Sequence, residues 1–296
     1  MRLGANQSAI AEPGFAHISS YGAFTTDELV SRELYFLELR KAGANVHLPC
    51  VNHSDYYTNI SGNDVYAGFV HMKSLEQKLA ECIITERSSN GHYLHLQDFI
   101  ERTAITREQL NLLVSIGAFR FTGKGKKELL WEANFLQAKN KSHVPAVHSL
   151  FEEPPFLFDL PKFTENHLDD RYDEMEILDF PLGNPFDLVD DDPQRYAFAK
   201  DMEGQPGKHF CLLVYFICQK PVATFNGQTM CFGTFLDANL DWVDTIHFPE
   251  VLRNYPLKGR GFYKISGKAV EDFGVISIEV AKMIRIGYKP GTYSKL

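Results

Sequence analysis

Cysteine is scarce in this chain of 296 residues. The five present (Cys50, Cys82, Cys211, Cys218, Cys231) are scattered, and no two form a CxxC pair. That excludes a disulfide framework and leaves a structural zinc site without its ligand spacing. The five are expected to be buried thiols in a reducing compartment. A basic excess is also missing: 30 Lys and Arg stand against 38 Asp and Glu, a formal net charge of −8, which excludes a polybasic coat for nucleic acid. No run approaches the roughly 20 apolar residues that a membrane helix needs. The opening segment, MRLGANQSAIAEPGF, lacks a charged n-region followed by an apolar h-region. The expectation is a cytoplasmic protein with no membrane partner, in which the sequons at Asn52, Asn59 and Asn140 are chance matches.

What is present is unevenly distributed. The acid excess sits between Leu136 and Lys200, where 6 basic residues face 14 acidic ones, and both flanks are near neutral. A polyanion would therefore meet a flank. The length suggests two modules with a spacer. In the first flank, the apolar period predicts helices over Thr26–Arg40, from Ser74 to Asn90, over LQDFIERT (96–103) and over Lys126–Lys139. Between the last two, Thr106 to Gln109 reads as a capping box. It opens a helix bearing Leu110, Leu113 and Val114, which Gly117 terminates. VHLPCVNHSDYY, broken at Pro49, reads as loop or strand.

From 140 to 207 the period disappears, prolines recur and acids crowd together, which predicts a spacer on the surface or partly disordered. After it the chemistry changes to that of strands. Asn226-Gly227 marks a tight hairpin, and several further strands are interrupted by one short helix at PEVLRNY. Such a pattern suits a small closed barrel of the OB type. The fold class is therefore α+β: a compact helical module, a Pro- and acid-rich spacer, and a C-terminal small β-barrel.

Few constellations carry chemistry. HLDDRYDEMEILD, with Asp190-Asp191-Asp192 beyond it, has the carboxylates for a two-metal site but no rigid framework to hold ions roughly 4 Å apart. It reads as a solvated charge run. His143 and His148 lack a third ligand, so no metal site is expected. The turn Thr122-Gly123-Lys124-Gly125-Lys126-Lys127 is not a Walker loop, because the GxxxxGK[ST] spacing is missing. It is still a glycine turn at a helix start carrying lysines, suited to a phosphate. In the barrel region Phe232, Phe235, Trp242, Phe262, Tyr263, Lys264 and Lys268 interleave rings with cations, as single-strand binders do. Alternation along each strand sends some of those rings into the core.

The order of these segments resembles one family. VHLPCVNHSDY, followed by YAGFVHMKSLEQKLAECIITERSSNGHYLHLQDFIERTAITREQLNLLVSIGAFRFTGKGKKELLWEA, resembles the distal fingers and helix-hairpin-helix region of the bacterial DNA polymerase III alpha subunit. ILDFPLGNPFDLV resembles the segment before that family's OB domain, and GQTMCFGTFLDANLDWVDTIHFPEVLRNY with GVISIEVAKMI resembles the OB domain. The resemblance divides the chain into a distal-fingers-like segment (1–60), a helix-hairpin-helix module (61–139), a spacer with a clamp-binding-like motif (140–207) and an OB domain (208–296). The first fifteen residues find no counterpart.

The resemblance implies a C-terminal, DNA-binding portion of such a subunit, truncated or separately encoded. Its partners would be primer-template and single-stranded DNA, the sliding clamp and other polymerase III holoenzyme subunits. The family is a DNA-directed DNA polymerase whose palm aspartates hold magnesium. No palm or PHP motif occurs in this sequence, so no cofactor is expected in this portion and the chain alone is not expected to extend a primer. The candidate DNA contacts are Lys73, at the family's first hairpin position, Arg120, Lys124, Lys126 and Lys127 from the glycine turn, and Phe232, Tyr263 and Lys264 from the ring-and-cation pattern of the barrel. Leu150 and Phe151 would bind the clamp, although Val147 stands where the motif usually has glutamine. A second departure is Met72-Lys73-Ser74, where the family's first hairpin usually has Gly-x-Gly. The alternative reading is a free-standing nucleic-acid-binding adaptor, and a third is a scaffold that binds proteins alone.

Overall fold

The structure, a computed structural model, describes residues 32–140, 166–272 and 274–291. Two compact units divide between Leu182 and Gly183, and the start of the first described helix is grouped with the second unit. That helix, α1 (Arg32–Lys41), is followed by Gly43 at φ +90°, a left-handed position that glycine takes without a Cβ clash. Short strands β1 (Asn45–His47), β2 (Asn59–Ser61) and β3 (Asp64–Tyr66) form a small sheet in the order β1-β3-β2. Gly68 follows it because a Cβ there would lie 2.3 Å from the Tyr57 carbonyl carbon. Four helices come next: α2 (Gln77–Asn90), α3 (Leu96–Thr103), α4 (Arg107–Ser115) and α5 (Lys126–Asn140). Their buried faces meet in one apolar core around Phe69, Ile83, Phe99, Leu113 and Phe119.

Three expectations need correction. Helix α2 starts at Gln77 rather than Ser74, because Ser74 is left-handed at φ +64°. The spacer is not irregular throughout: His167–Leu178 form helix α6, capped by the Asn166 side chain. Its buried apolar residues lie at one end, where Ile177 and Leu178 join the helical core. The third buried position is Glu174, which accepts hydrogen bonds from Arg171 and the Leu182 N–H. A charged residue in a core-facing place hides the helical period from a hydrophobicity reading. Finally, the cysteines are not uniformly buried. Cys231 is, but Cys82 is exposed.

In the second unit, turns of 3-10 helix at Pro185–Leu188, Pro193–Arg195 and Ala199–Met202 lead into a closed barrel. Its strands are β4 (His209–Ala223), β5 (Thr229–Leu236), β6 (Trp242–His247), β7 (Phe262–Asp272) and β8 (Val275–Ile286), closed in the order β4-β5-β6-β8-β7. Only the β6–β8 pairing is parallel, and a short helix, α7 (Pro249–Asn254), joins β6 to β7. This is the architecture of an OB-fold. The barrel turns a corner at a bulge between Ser266 and Gly267. A Cβ at Gly267 would meet the Glu279 carbonyl oxygen at 2.2 Å, so only glycine fits. Val214, Phe235, Val243, Tyr263, Ile265 and Ile278 fill the interior. Among the described residues, no helix is long and apolar enough to cross a membrane.

Candidate nucleic-acid interface

The α2–α3 hairpin is closed by Gly91 at φ +83° and by one arginine. Arg102 donates to the carboxylates of Glu86 (3.1 Å) and Asp98 (3.2 Å) and to the carbonyls of Glu86, Gly91 and His92. Its guanidinium also lies 4.3 Å from the centre of the Tyr93 ring. The planar fork thus satisfies carbonyls that the end of α2 leaves without helical partners. At the start of α3, the His95 ring accepts from the Asp98 N–H while Asp98 accepts from the Leu94 N–H.

The α4–α5 hairpin follows the same logic. Thr106 caps α4 by accepting from the Gln109 N–H at 3.4 Å. The other half of the expected capping box is absent, because Gln109 is used elsewhere. Its amide donates to the Ser74 carbonyl at 2.8 Å and accepts from the Glu76 N–H at 3.0 Å. The turn after α4 takes left-handed glycines at Gly117 and Gly123 before α5 begins at Lys126. First-turn N–H groups of a helix have no intrahelical acceptor, which is the physical basis of anion binding there.

At the position where the resemblance leads one to expect Gly-x-Gly, the backbone explains half of the departure. Met72 has an ordinary extended conformation and is buried, so nothing requires glycine there. Ser74, by contrast, is left-handed at φ +64°, which costs a residue with a Cβ about 1 kcal/mol. Ser74→Gly is therefore expected to raise the melting temperature of the helical unit by about 2–4 °C, corresponding to about 0.5–1 kcal/mol. A fall on thermal unfolding would refute the strain argument. The Lys73 N–H donates to the Ile177 carbonyl at 2.7 Å.

Three of the lysines expected to meet phosphate are engaged by carboxylates. Lys73 pairs with Asp179 at 2.7 Å, Lys124 with Glu132 at 2.7 Å, and Lys126 with both Asp170 (2.7 Å) and Asp173 (3.0 Å). Burial pushes the Asp173 carboxyl up, and Lys126 pulls it back. Arg120 is exposed in the 3-10 turn Arg120–Thr122, and Lys127 is half-buried on the first turn of α5. The structure thus gathers Arg120, Lys124, Lys126 and Lys127 around one turn, with Lys126 facing α6.

In the barrel, alternation separates the expected contacts. Phe232 is exposed, beside Lys220 of β4 and Ile246 of β6 on the outer face. Tyr263 is corrected from a single-strand contact to a core residue. It is buried among Phe216 and Phe235, and its hydroxyl donates to the Gly259 carbonyl while accepting from the Lys258 N–H. Phe235 and Phe262 are also buried. Lys264, on the opposite side of β7 from Tyr263, lies 5.0 Å from the Tyr196 ring centre, and a hydrogen bond with Tyr196 holds its pKa above the usual lysine value.

Sequence reasoning missed Phe225. It sits fully exposed at the tip of the β4–β5 hairpin, in a turn locked by Thr224, which accepts from the Gly227 N–H and exchanges hydrogen bonds with Gln228. The Asn226-Gly227 signal was enough to place its neighbour at the tip. Leu150 and Phe151 lie outside the described residues. Among those described, no group of three His, Cys, Asp or Glu side chains is gathered as a metal site.

Residues 43–129 match the family model of a helix-hairpin-helix motif. The chain is 27% identical over 245 residues to the DNA polymerase III subunit alpha of Staphylococcus aureus (strain MSSA476), covering 78% of this chain and 22% of that protein. It is 29% identical over 224 residues to the protein of the same name from Staphylococcus epidermidis, covering 70% of this chain and 20% of that protein. The chain therefore spans about a fifth of the length of the curated relatives it matches. A helix-hairpin-helix unit and an OB-type barrel, in a chain similar over most of its length to DNA polymerase III alpha subunits, bear out the resemblance read from the sequence.

Proposed function

We propose that this chain is the C-terminal DNA-binding portion of a DNA polymerase III alpha subunit, acting in replication in the cytoplasm with the other holoenzyme subunits. The similarity to DNA polymerase III alpha subunits over 78% of this chain is the observation that carries the reading. In this role the helical hairpins hold primer-template DNA through Arg120, Lys124, Lys126, Lys127 and Lys73. The outer face of the barrel holds single-stranded template through Phe232, Phe225 and Lys264. Rings on a rigid hairpin stack with any base, and cations beside them meet the backbone.

Fluorescence anisotropy with primed and single-stranded DNA over a salt series tests this. The log–log slope is expected to be about −2 to −3, and Lys124→Gln/Lys126→Gln/Lys127→Gln should flatten it. Phe225→Ala/Phe232→Ala should weaken single-strand binding by roughly tenfold or more, because each stacked base contributes about 1–3 kcal/mol. An unchanged slope and unchanged single-strand affinity would place the footprint elsewhere.

The same reading tethers the chain to the ring-shaped clamp through Leu150 and Phe151. Each large apolar side chain gains about 1.5–3 kcal/mol when a partner's pocket buries it. Leu150→Ala/Phe151→Ala is expected to abolish clamp binding, with DNA affinity and melting temperature nearly unchanged. A drop of several degrees with clamp binding intact would assign the pair to the fold.

A further inference from the structure

Part of the acidic face of helix α6 is turned to lysines of the helical unit rather than to solvent alone. The helix reaches both turns that carry the candidate phosphate contacts. At its start, Asp170 and Asp173 grip Lys126 at 2.7 and 3.0 Å. At its end, the Ile177 carbonyl takes the Lys73 N–H at 2.7 Å and Asp179, the next residue but one, takes the Lys73 ammonium at 2.7 Å. The helix is fixed in this position by Ile177 and Leu178, both buried in the helical core. Carboxylates spaced along one element, each on a lysine, present to this surface what a phosphodiester chain would present.

We propose that α6 is a built-in anionic competitor, occupying with Asp170, Asp173 and Asp179 the lysine positions that DNA phosphates would otherwise take. The inference rests on the DNA-binding reading above and adds a regulation to it. Because the helix is anchored by apolar burial, only its side chains need to turn aside. Phosphate then displaces carboxylate at Lys126 and Lys73 without unfolding α6. The consequence is a binding surface whose affinity is held down by its own charge, so that it engages DNA firmly only when something else brings the two together.

The test compares DNA binding by the wild-type chain with Asp170→Asn/Asp173→Asn, which removes the competing charge but keeps the side-chain shape. A phosphate contact that no carboxylate contests should tighten binding by roughly tenfold near 0.1 M salt. Adding Lys126→Gln to that variant should remove the gain. Glu81→Gln/Glu101→Gln is the control for overall charge, since these exposed carboxylates accept from Gln77 and Gln97 and, among the described residues, pair with no cation. Its gain should stay below about twofold. Asp170→Asn alone serves as a milder variant should the pair melt early, with an expected gain of about threefold.

Wild-type binding that the Asn variants leave unchanged, or an equal gain from the control, would overturn the inference while leaving the DNA-binding reading intact. No binding by any variant, the Asn pair included, would overturn both.

Discussion

Arg102→Ala is expected to destabilise the helical unit by about 3 kcal/mol, because it breaks a largely enclosed charge network rather than a surface pair. The guanidinium is only 17% exposed, and its partners Glu86 and Asp98 are 26% and 22% exposed. Removing it leaves two half-buried carboxylates without their cation, and the carbonyls of Gly91 and His92 without their donor. A hydrogen bond to a charged group contributes about 1.5–3 kcal/mol, and several are lost together. The melting temperature of the unit should fall by about 10 °C. Arg102→Lys should recover less than half of that, since a point charge cannot reach the acids and the carbonyls at once. A loss below about 1 kcal/mol, or full rescue by lysine in denaturant unfolding, would show that the hairpin is held by other contacts. Because the same turn orients the first hairpin, DNA affinity should fall alongside stability.

Acidification is expected to weaken the barrel well above the pH at which carboxylates titrate, through His247. This histidine is completely buried on β6, and burial lowers its pKa to about 4. Its tautomer follows from its neighbour. The Thr245 hydroxyl spends its proton on the Gly233 carbonyl at 2.9 Å, so it must accept from His247 Nε2–H at 2.8 Å. That leaves Nδ1 as the bare nitrogen, enclosed with no acceptor for a second proton among the described residues.

The unfolded chain takes up that proton near pH 6.5, the folded barrel only near pH 4. The stabilisation is therefore fully present above pH 6.5 and is lost as the pH falls through 4. Its size is about 3 kcal/mol. His247→Gln keeps a donor for Thr245 and cannot titrate. It should be less stable at pH 7.5 but nearly flat between pH 6.5 and 4, where the wild type declines. An equal decline in the variant would assign the acid sensitivity to other groups.

Two events in one residue's neighbourhood show how side chains are reassigned by the fold. Gln109 stands three residues after Thr106, the spacing of a capping box, and a local reading pairs the two. In the folded unit the Ser74–Glu76 turn is brought beside α4, and its unpartnered carbonyl and N–H take the Gln109 amide. A contact across 35 residues displaced a local one. The left-handed turn at Ser74 and the delayed start of α2 belong to the same event.

Local chemistry alone was enough for the helical hairpins, the Asn226-Gly227 turn and the strand-rich end, because amphipathic period, left-handed glycines and turn dipeptides act over a few residues. It was also enough for the order of the segments, on which the resemblance to DNA polymerase III alpha rests. Tertiary structure decided which ring faces which way. Tyr263 and Lys264 are neighbours in sequence, yet barrel closure buries one and leaves the other beside Tyr196. It also decided what the acids do. From sequence, HLDDRYDEMEIL is a charge run in a spacer. In the fold it is a helix, since burial of Ile177, Leu178 and a fully paired Glu174 compensates for the repulsion along it, and its carboxylates find lysines from turns some fifty and a hundred residues away. Charge pairing of that range leaves no trace in spacing, because nothing in a linear pattern says which distant turn a helix will lie against.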